Sequence, residues 1–198
     1  MFARLKLLLT DPKQYWSAAF SEPGDIRSQL VPTMALLAAI PAVLGFLGQT
    51  FGLMRFSATG ALLSGLVTAA IVFILQIAIW ISLGFIIDAL APSFGARREI
   101  GQSMKLASGT MIPMWLGLGL NVLPSMYIGM LGWLAGLGYG AYMLYLGLPI
   151  MNGTNQEKAI GYTAAVIGIL LALSLAAVFL AGCPAACLVV TAVRSSMP

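Results

Sequence analysis

Long apolar runs separated by short polar stretches dominate the hydrophobic pattern of this chain. Five of them are long enough to cross the roughly 30 Å hydrocarbon core of a bilayer as α-helices. They cover about residues 28–48, 61–91, 103–123, 125–148 and 159–193. The pattern predicts an all-α, polytopic helical membrane protein whose five transmembrane helices form one bundle. A sixth span would have to come from residues 182–193, a stretch too short to cross.

Residues 1–27 precede the first span and are expected to form a cytoplasmic segment ahead of the transmembrane domain of residues 28–198. The apolar residues 7–9 are too few for the core of a signal peptide. Asp11 is placed to cap a short helix, and Trp16 belongs to the apolar side of that helix. Aromatic rings beside basic residues predict an amphipathic helix lying in the membrane interface. The alternative is a segment packed under the bundle.

The clearest interruption lies between the fourth and fifth spans. Gly147 and Pro149 predict that the fourth helix breaks there, because glycine costs a helix backbone entropy and proline supplies no N–H. The polar stretch 152–158 then forms a loop, in which Thr154 or Asn155 can cap the fifth helix.

Composition agrees with the membrane class. The chain is 60% hydrophobic, 8% charged and free of histidine, and its mean hydropathy is +0.97. A soluble domain is about 45–50% apolar and about 25% charged. The net charge of +4 is interpreted as loop charge facing anionic lipid, so the expected partner is the lipid bilayer and not nucleic acid.

Basic residues are distributed unequally between the two sides that five spans would create. Eight lie in the N-terminal segment and the second and fourth loops, against two on the opposite side. The first group is Arg4, Lys6, Lys13, Arg27, Arg97, Arg98, Lys105 and Lys158, and the second is Arg55 and Arg194. The positive-inside rule then predicts a cytoplasmic N-terminus and a C-terminus on the opposite side.

A stripe of small residues runs along the fourth span. Gly132, Gly136 and Gly140 recur every four residues and therefore share one helix face, a glycine zipper that lets two backbones approach closely. An intrachain contact with another span is favoured, and a homo-oligomer interface is the alternative. In both cases the stripe serves packing and not chemistry.

The segment GLGYGAYMLYLGLPIMNGTNQEKAIGYT resembles the signature of the Yip1 domain family of five-span membrane proteins. The matching positions are Tyr142, Tyr145, Gly147, Pro149, Lys158, Ala159 and Tyr162. The third span, MKLASGTMIPMW, is similar to the family's lysine-led helix with Ile-Pro at its middle. The front end, with Asp11-Pro12, Trp16 and Glu22-Pro-Gly-Asp, is similar to bacterial members.

This resemblance implies a five-span fold with a cytoplasmic N-terminus, in agreement with the charge distribution. Eukaryotic relatives associate with Rab GTPases and take part in vesicle traffic. No long cytosolic segment precedes the first span here, so the chain is more similar to prokaryotic members. That similarity predicts the bacterial inner membrane, a periplasmic C-terminus and protein partners of unknown identity.

Enzymatic residues are scarce. Without histidine, neither a Ser-His-Asp site nor an HExxH metal site can form. Cys183 and Cys187 lack the CxxC spacing of a redox motif and are either a disulfide or two small core residues. Methionine in apolar helices such as the third span most often fills gaps. We therefore expect that the chain is not an enzyme and that it has no catalytic, cofactor-binding or metal-binding residues.

Two function classes remain. Asp88 is the only carboxylate inside an apolar span, and it is expected to pair with Lys105 across a short loop. We expect a non-enzymatic protein that organises membrane or recruits protein partners. The alternative is a transporter or channel for a small solute or an ion, which would use the helix breaks and a polar cavity near Gln76 and Asp88. A continuous water-filled cavity there would favour transport.

Overall fold

The computed structural model describes the backbone of residues 7–8, 10–21, 31–53, 58–123 and 125–194, and their side chains except those of residues 52–60, 126, 178 and 181–194. Every regular element in these ranges is helical. The α-helices are α1 (Pro12–Ser21), α2 (Val31–Leu53), α3 (Ala58–Leu90), α4 (Ile100–Leu118), α5 (Met126–Asn152) and α6 (Gln156–Arg194). Two 3₁₀ turns, Ala91–Phe94 and Gly119–Val122, continue the ends of α3 and α4.

Four stretches are long and apolar enough to cross a membrane. They are Val31–Phe51, Ala61–Phe94, Tyr127–Asn152 and Gln156–Ala177, which belong to α2, α3, α5 and α6. The prediction of an all-helical, polytopic membrane protein is confirmed. The predicted count of five is not, because α4 is absent from this group.

The helix α4 is the centre of the bundle. Every residue from Gln102 to Trp115 is buried, including the polar Lys105, Ser108 and Thr110. Polar side chains inside a membrane protein normally face the bundle interior, where other helices shield them from lipid. Burial on all sides therefore explains why α4 is less apolar than its neighbours.

Three tryptophans, Trp115 of α4 and two from neighbouring helices, are buried around the centre of the bundle, and each indole N–H has a partner. Trp80 Nε1 donates to Ser108 Oγ at 3.0 Å, and Trp115 Nε1 donates to Gln76 Oε1 at 2.9 Å. Trp16 Nε1 donates to the carbonyl oxygen of Met143, also at 2.9 Å. Because a buried indole N–H needs an acceptor, these bonds fix how α1, α3, α4 and α5 sit against one another.

The helix α1 packs on the bundle, and the prediction that it lies in the membrane interface is not confirmed. Trp16 is fully buried, and Lys105 Nζ donates to the carbonyl oxygen of Ala19 at 2.8 Å. Asp11 caps the helix as predicted, since its Oδ1 accepts the N–H of Gln14 at 3.0 Å. On the outer side Phe20 is 49% exposed.

The predicted spans and the observed helices differ by one to five residues at their ends. One difference is a correction, because the predicted break at Gly147 and Pro149 is wrong. The helix α5 continues through both residues to Asn152 and ends at Gly153, which adopts φ 67°. A proline near the end of a helix removes one N–H bond, and neighbouring helices make that tolerable. The left-handed glycine is what ends the helix.

Candidate functional site

The α3–α4 and α5–α6 loops meet at one end of the bundle and are joined by hydrogen bonds. The N–H of Arg97 donates to the carbonyl oxygen of Asn152 at 2.8 Å. The Asn152 amide donates to Ser103 Oγ at 3.2 Å and to the carbonyl oxygen of Arg97 at 3.5 Å. The two loops therefore form a single surface, held from beneath by the buried Asn152.

Tight backbone turns give both loops a defined shape. Gly95 adopts φ 68° and Gly153 adopts φ 67°, a conformation that costs glycine little. After the second turn, Asn155 Oδ1 accepts the N–H of Glu157 at 3.3 Å. This bond caps α6, so Asn155 is the cap, which was one of the two predicted candidates.

The buried carboxylate of Asp88 has a different partner from the predicted one. Arg98 Nε donates to Asp88 Oδ2 at 2.8 Å, and the two side chains are 68% and 9% exposed. Lys105 Nζ donates to the carbonyl oxygen of Ala19 at the C-terminal end of α1, and its predicted pair with Asp88 stays a prediction. Arg98 lies on the loop directly above the end of α3, so its guanidinium approaches Asp88 without crossing the bundle.

An aromatic pair connects α6 with the end of α3. The rings of Phe94 and Tyr162 are stacked, with centroids 4.7 Å apart and an interplanar angle of 3°. The Tyr162 hydroxyl donates to the carbonyl oxygen of Ile87, next to Asp88. Tyr162 therefore holds the start of α6 against the α3–α4 loop. We call Asp88, Arg98, Ser103, Asn152 and Tyr162 the loop cluster.

Several buried oxygen atoms at the loop cluster accept no hydrogen bond from the described residues. They are Asp88 Oδ1, Gln102 Oε1, Asn152 Oδ1 and Thr154 Oγ1. Leaving such a group unpaired costs about 1–3 kcal/mol, and ordered buried water is the usual partner of such groups. Within the described ranges no three His, Cys, Asp or Glu residues converge as metal ligands.

The glycine stripe lies in the interface between α4 and α5. A Cβ built on Gly136 would fall 2.6 Å from the Pro113 carbonyl oxygen, and one on Gly140 would fall 2.6 Å from that of Thr110. A Cβ on Gly132 would likewise collide with Gly117. The stripe therefore packs against α4 inside the chain, which is the alternative that the sequence favoured.

A cavity of about 300 Å³ lies beside Gln76, the predicted polar position of the third helix. Residues of α2 to α6 line it, and Asp88 is not among them. Its polar side chains are uncharged, and its other walls are mostly aliphatic, aromatic and methionine side chains. The structure thus separates the two positions, Gln76 and Asp88, that were expected to share one cavity.

A family model described as the Yip1 domain matches residues 6–193, nearly the whole chain. The chain belongs to the Yip1 domain family. It is also similar to the inner membrane protein YohC of Escherichia coli strain K12, with 27% identity over 167 residues, which is 82% of this chain and 85% of the relative. The YohC protein of E. coli O6:H1 strain CFT073 shows the same identity and coverage. No solved structure matches.

The positions that carry the Yip1 resemblance are divided between two places. Lys158 lies on the loop surface, where its ammonium is beside Gly95, and the buried Tyr162 belongs to the loop cluster beneath it. Gly147 is a packing residue, because a Cβ there would lie 2.5 Å from Leu106 Cδ2. Pro149 and Tyr145 are partly buried in α5, and Tyr142 is 48% exposed on its outer side. The segment of residues 22–25 and the side chains of Cys183 and Cys187 lie outside the described residues.

Sequence reasoning missed three residues that shape the Yip1 protein's loop surface and its support: Arg98 as the partner of Asp88, Phe94 as the stacking partner of Tyr162, and Trp16 as the anchor of α1. Arg98 carried a usable signal, because it is only ten positions from Asp88 and lies in the connecting loop. Trp16 carried only its place on the apolar side of its helix, and Phe94 carried no signal, since the partners of both are far away along the chain.

Proposed function

We propose that this Yip1 domain protein is a non-enzymatic membrane protein that recruits protein partners through the loop surface above the loop cluster. The observation that carries the proposal is the hydrogen-bonded junction of the two loops at Arg97 and Asn152. A surface that is ordered before binding loses less entropy when a partner docks.

The charges on this surface support a recognition role. Arg98 is fixed by Asp88 beneath it while its side chain stays 68% exposed. Arg97 and Glu99 on the α3–α4 loop, and Glu157 and Lys158 in the first turn of α6, are also exposed. Fixed charges of both signs steer association and select partners by complementarity.

The same proposal includes a topology in which five helices cross the membrane and the loop surface lies on the cytoplasmic side. The helix α4 packs along α5 from the Gly132–Gly117 contact to the Gly147–Leu106 contact, so it covers much of the depth that α5 crosses. Arg97, Arg98 and Lys158 then lie on one side, as the positive-inside rule requires of cytoplasmic loops. The N-terminus is assigned to that side and the C-terminus to the periplasm.

Site-specific photo-cross-linking in native membranes tests the recruitment proposal. A photoreactive phenylalanine replaces Arg97 or Glu157 on the loop surface, and Leu134 on the outer side of α5 serves as the lipid-facing control. We expect a protein adduct of discrete mass at the loop positions only. Arg98→Glu should abolish the adduct, whereas Lys13→Glu on α1 should leave it. Absence of any protein adduct at both loop positions would contradict the proposal.

Transport is the second candidate, and the cavity beside Gln76 is the observation that favours it. Iso-osmotic swelling of proteoliposomes in glycerol or urea distinguishes the two functions. The recruitment proposal expects no protein-dependent swelling. Swelling that depends on the protein, and that stops when Gly45→Phe fills the cavity, would establish transport instead.

A further inference from the structure

We infer that the cavity beside Gln76 is a binding site for a small neutral molecule with an apolar body and one hydrogen-bond acceptor. The cavity measures about 300 Å³ and is lined by residues from five helices, α2 to α6. That volume is at the lower end of the range found for small-molecule sites, which are mostly apolar with a few placed polar groups. This site is separate from the loop surface and does not depend on its role.

The absence of charge from the lining defines the class of ligand. None of the described residues around the cavity is Asp, Glu, Lys or Arg. An ion placed there would lose its hydration without gaining a counter-charge, which is prohibitively costly in a low-dielectric environment. The site therefore discriminates against ions and favours neutral molecules.

The orientation of the Gln76 amide supplies the polar contact. The indole N–H of Trp115 can only donate, so the atom that faces it at 2.9 Å must be Oε1 of Gln76. The Gln76 NH2 group is thereby directed elsewhere, and it donates no hydrogen bond to the described part of the chain. A ligand carbonyl or hydroxyl oxygen fits this fixed donor, and Gln49 and Ser174 place further uncharged groups on the lining.

The remaining walls suit an apolar body. Met111 and Met114 come from α4, Phe46 from α2 and Trp133 from α5. Methionine side chains adapt to irregular shapes, and aromatic rings offer large apolar area. A compact hydrocarbon or aryl group with a single acceptor satisfies both parts of the cavity.

Gly45 offers a way to close the cavity without disturbing the fold. It lines the cavity, and a Cβ built there would meet no atom within 4 Å. Gly138 on α5 also has no atom within 4 Å of such a Cβ but does not line the cavity. Gly45→Phe is therefore the test variant and Gly138→Phe its matched control.

Fluorine NMR of the full chain in nanodiscs tests the inference, with empty nanodiscs subtracted. The probes are 4-fluorobenzyl alcohol and 1-ethyl-4-fluorobenzene, which share size but differ in the acceptor oxygen. We expect saturable binding of the alcohol to the wild type and to Gly138→Phe, and its loss in Gly45→Phe. One good hydrogen bond should favour the alcohol over the hydrocarbon by about two- to tenfold.

The polar contact is tested by Gln76→Met combined with Trp115→Phe, which removes both hydrogen-bonding partners together and leaves no buried donor unpaired. This variant should bind the two probes equally. Failure of the wild type to bind either probe saturably would overturn the inference, as would undiminished binding to Gly45→Phe. Equal affinity of the wild type for both probes would assign the cavity to a lipid acyl chain and overturn the proposed ligand class. None of these outcomes bears on the photo-cross-linking result at the loops.

Discussion

Trp16 occupies the space that a side chain at Gly147 would need: a Cβ built on Gly147 would lie 2.7 Å from Cε2 of the indole. The two residues are 131 positions apart and join the N-terminal helix to the fourth predicted span. The glycine of the family motif is therefore explained by the tryptophan that packs on it.

Removing this anchor should strongly destabilise the protein. Trp16→Ala leaves a large cavity between α1, α4 and α5 and removes the indole hydrogen bond to the Met143 carbonyl oxygen, with an expected loss of about 3–5 kcal/mol. Thermal unfolding in detergent, followed by tryptophan fluorescence or circular dichroism, measures the effect. Phe20→Ala is the matched control, because Phe20 lies half-exposed on the same helix and should cost little. Equal melting temperatures for the two variants would contradict the anchoring role.

The glycine stripe leads to a second prediction. Gly136→Ala should lower the free energy of unfolding by about 1–3 kcal/mol, because the new methyl group collides with backbone atoms of Pro113 and Met114 that cannot move aside. Gly138→Ala, two positions away with open space, should be neutral or stabilising because alanine favours a helix. Size-exclusion chromatography should give the same oligomeric state for both variants. A change of oligomeric state in Gly136→Ala alone would indicate that the stripe also serves assembly.

A double-mutant cycle tests the pairing of Asp88. Arg98→Gln should destabilise the protein when Asp88 is present and much less in the Asp88→Asn background. The coupling should be about 0.5–1 kcal/mol at most, because the guanidinium is largely solvated. The cycle of Asp88→Asn with Lys105→Met should give a smaller coupling, since Lys105 donates to Ala19. A larger coupling with Lys105 than with Arg98 would restore the original pairing hypothesis.

Local rules predicted much of this structure. The lengths of the apolar runs predicted the positions of the long helices. The residue type and position of Asp11 predicted that it caps α1. The stripe at Gly132, Gly136 and Gly140 followed from spacing alone. In each case the physical cause lies within a few residues, so the sequence contains it.

Features that depend on distant partners could not be predicted in this way. Glycine is common both at helix breaks and where helices pack closely, so the sequence alone does not distinguish the two roles at Gly147. Only the position of Trp16 shows that Gly147 is a packing residue. Asp88 had two basic residues within reach, and the direction of the loop selects Arg98. A cavity near Gln76 was part of the transport alternative, but its shape and its separation from Asp88 depend on side chains from five helices, which no local pattern encodes.

The final prediction concerns the crossing of α4, which is less apolar than its neighbours. Because it is buried from Gln102 to Trp115 and packs along α5, we expect it to span the membrane and to place its two ends on opposite sides. The test begins from a chain in which Cys183 and Cys187 are replaced by alanine. One cysteine is then placed at Ser93 or at Val122. Each variant is labelled with a membrane-impermeant maleimide, once in intact cells and once after lysis. The cysteine at position 122 should react in intact cells, and the one at position 93 only after lysis. A cysteine at Gln156 should behave like that at position 93, because the two loops form one surface. If positions 93 and 122 are protected alike in intact cells, α4 does not cross, and the five-span topology with a periplasmic C-terminus is wrong.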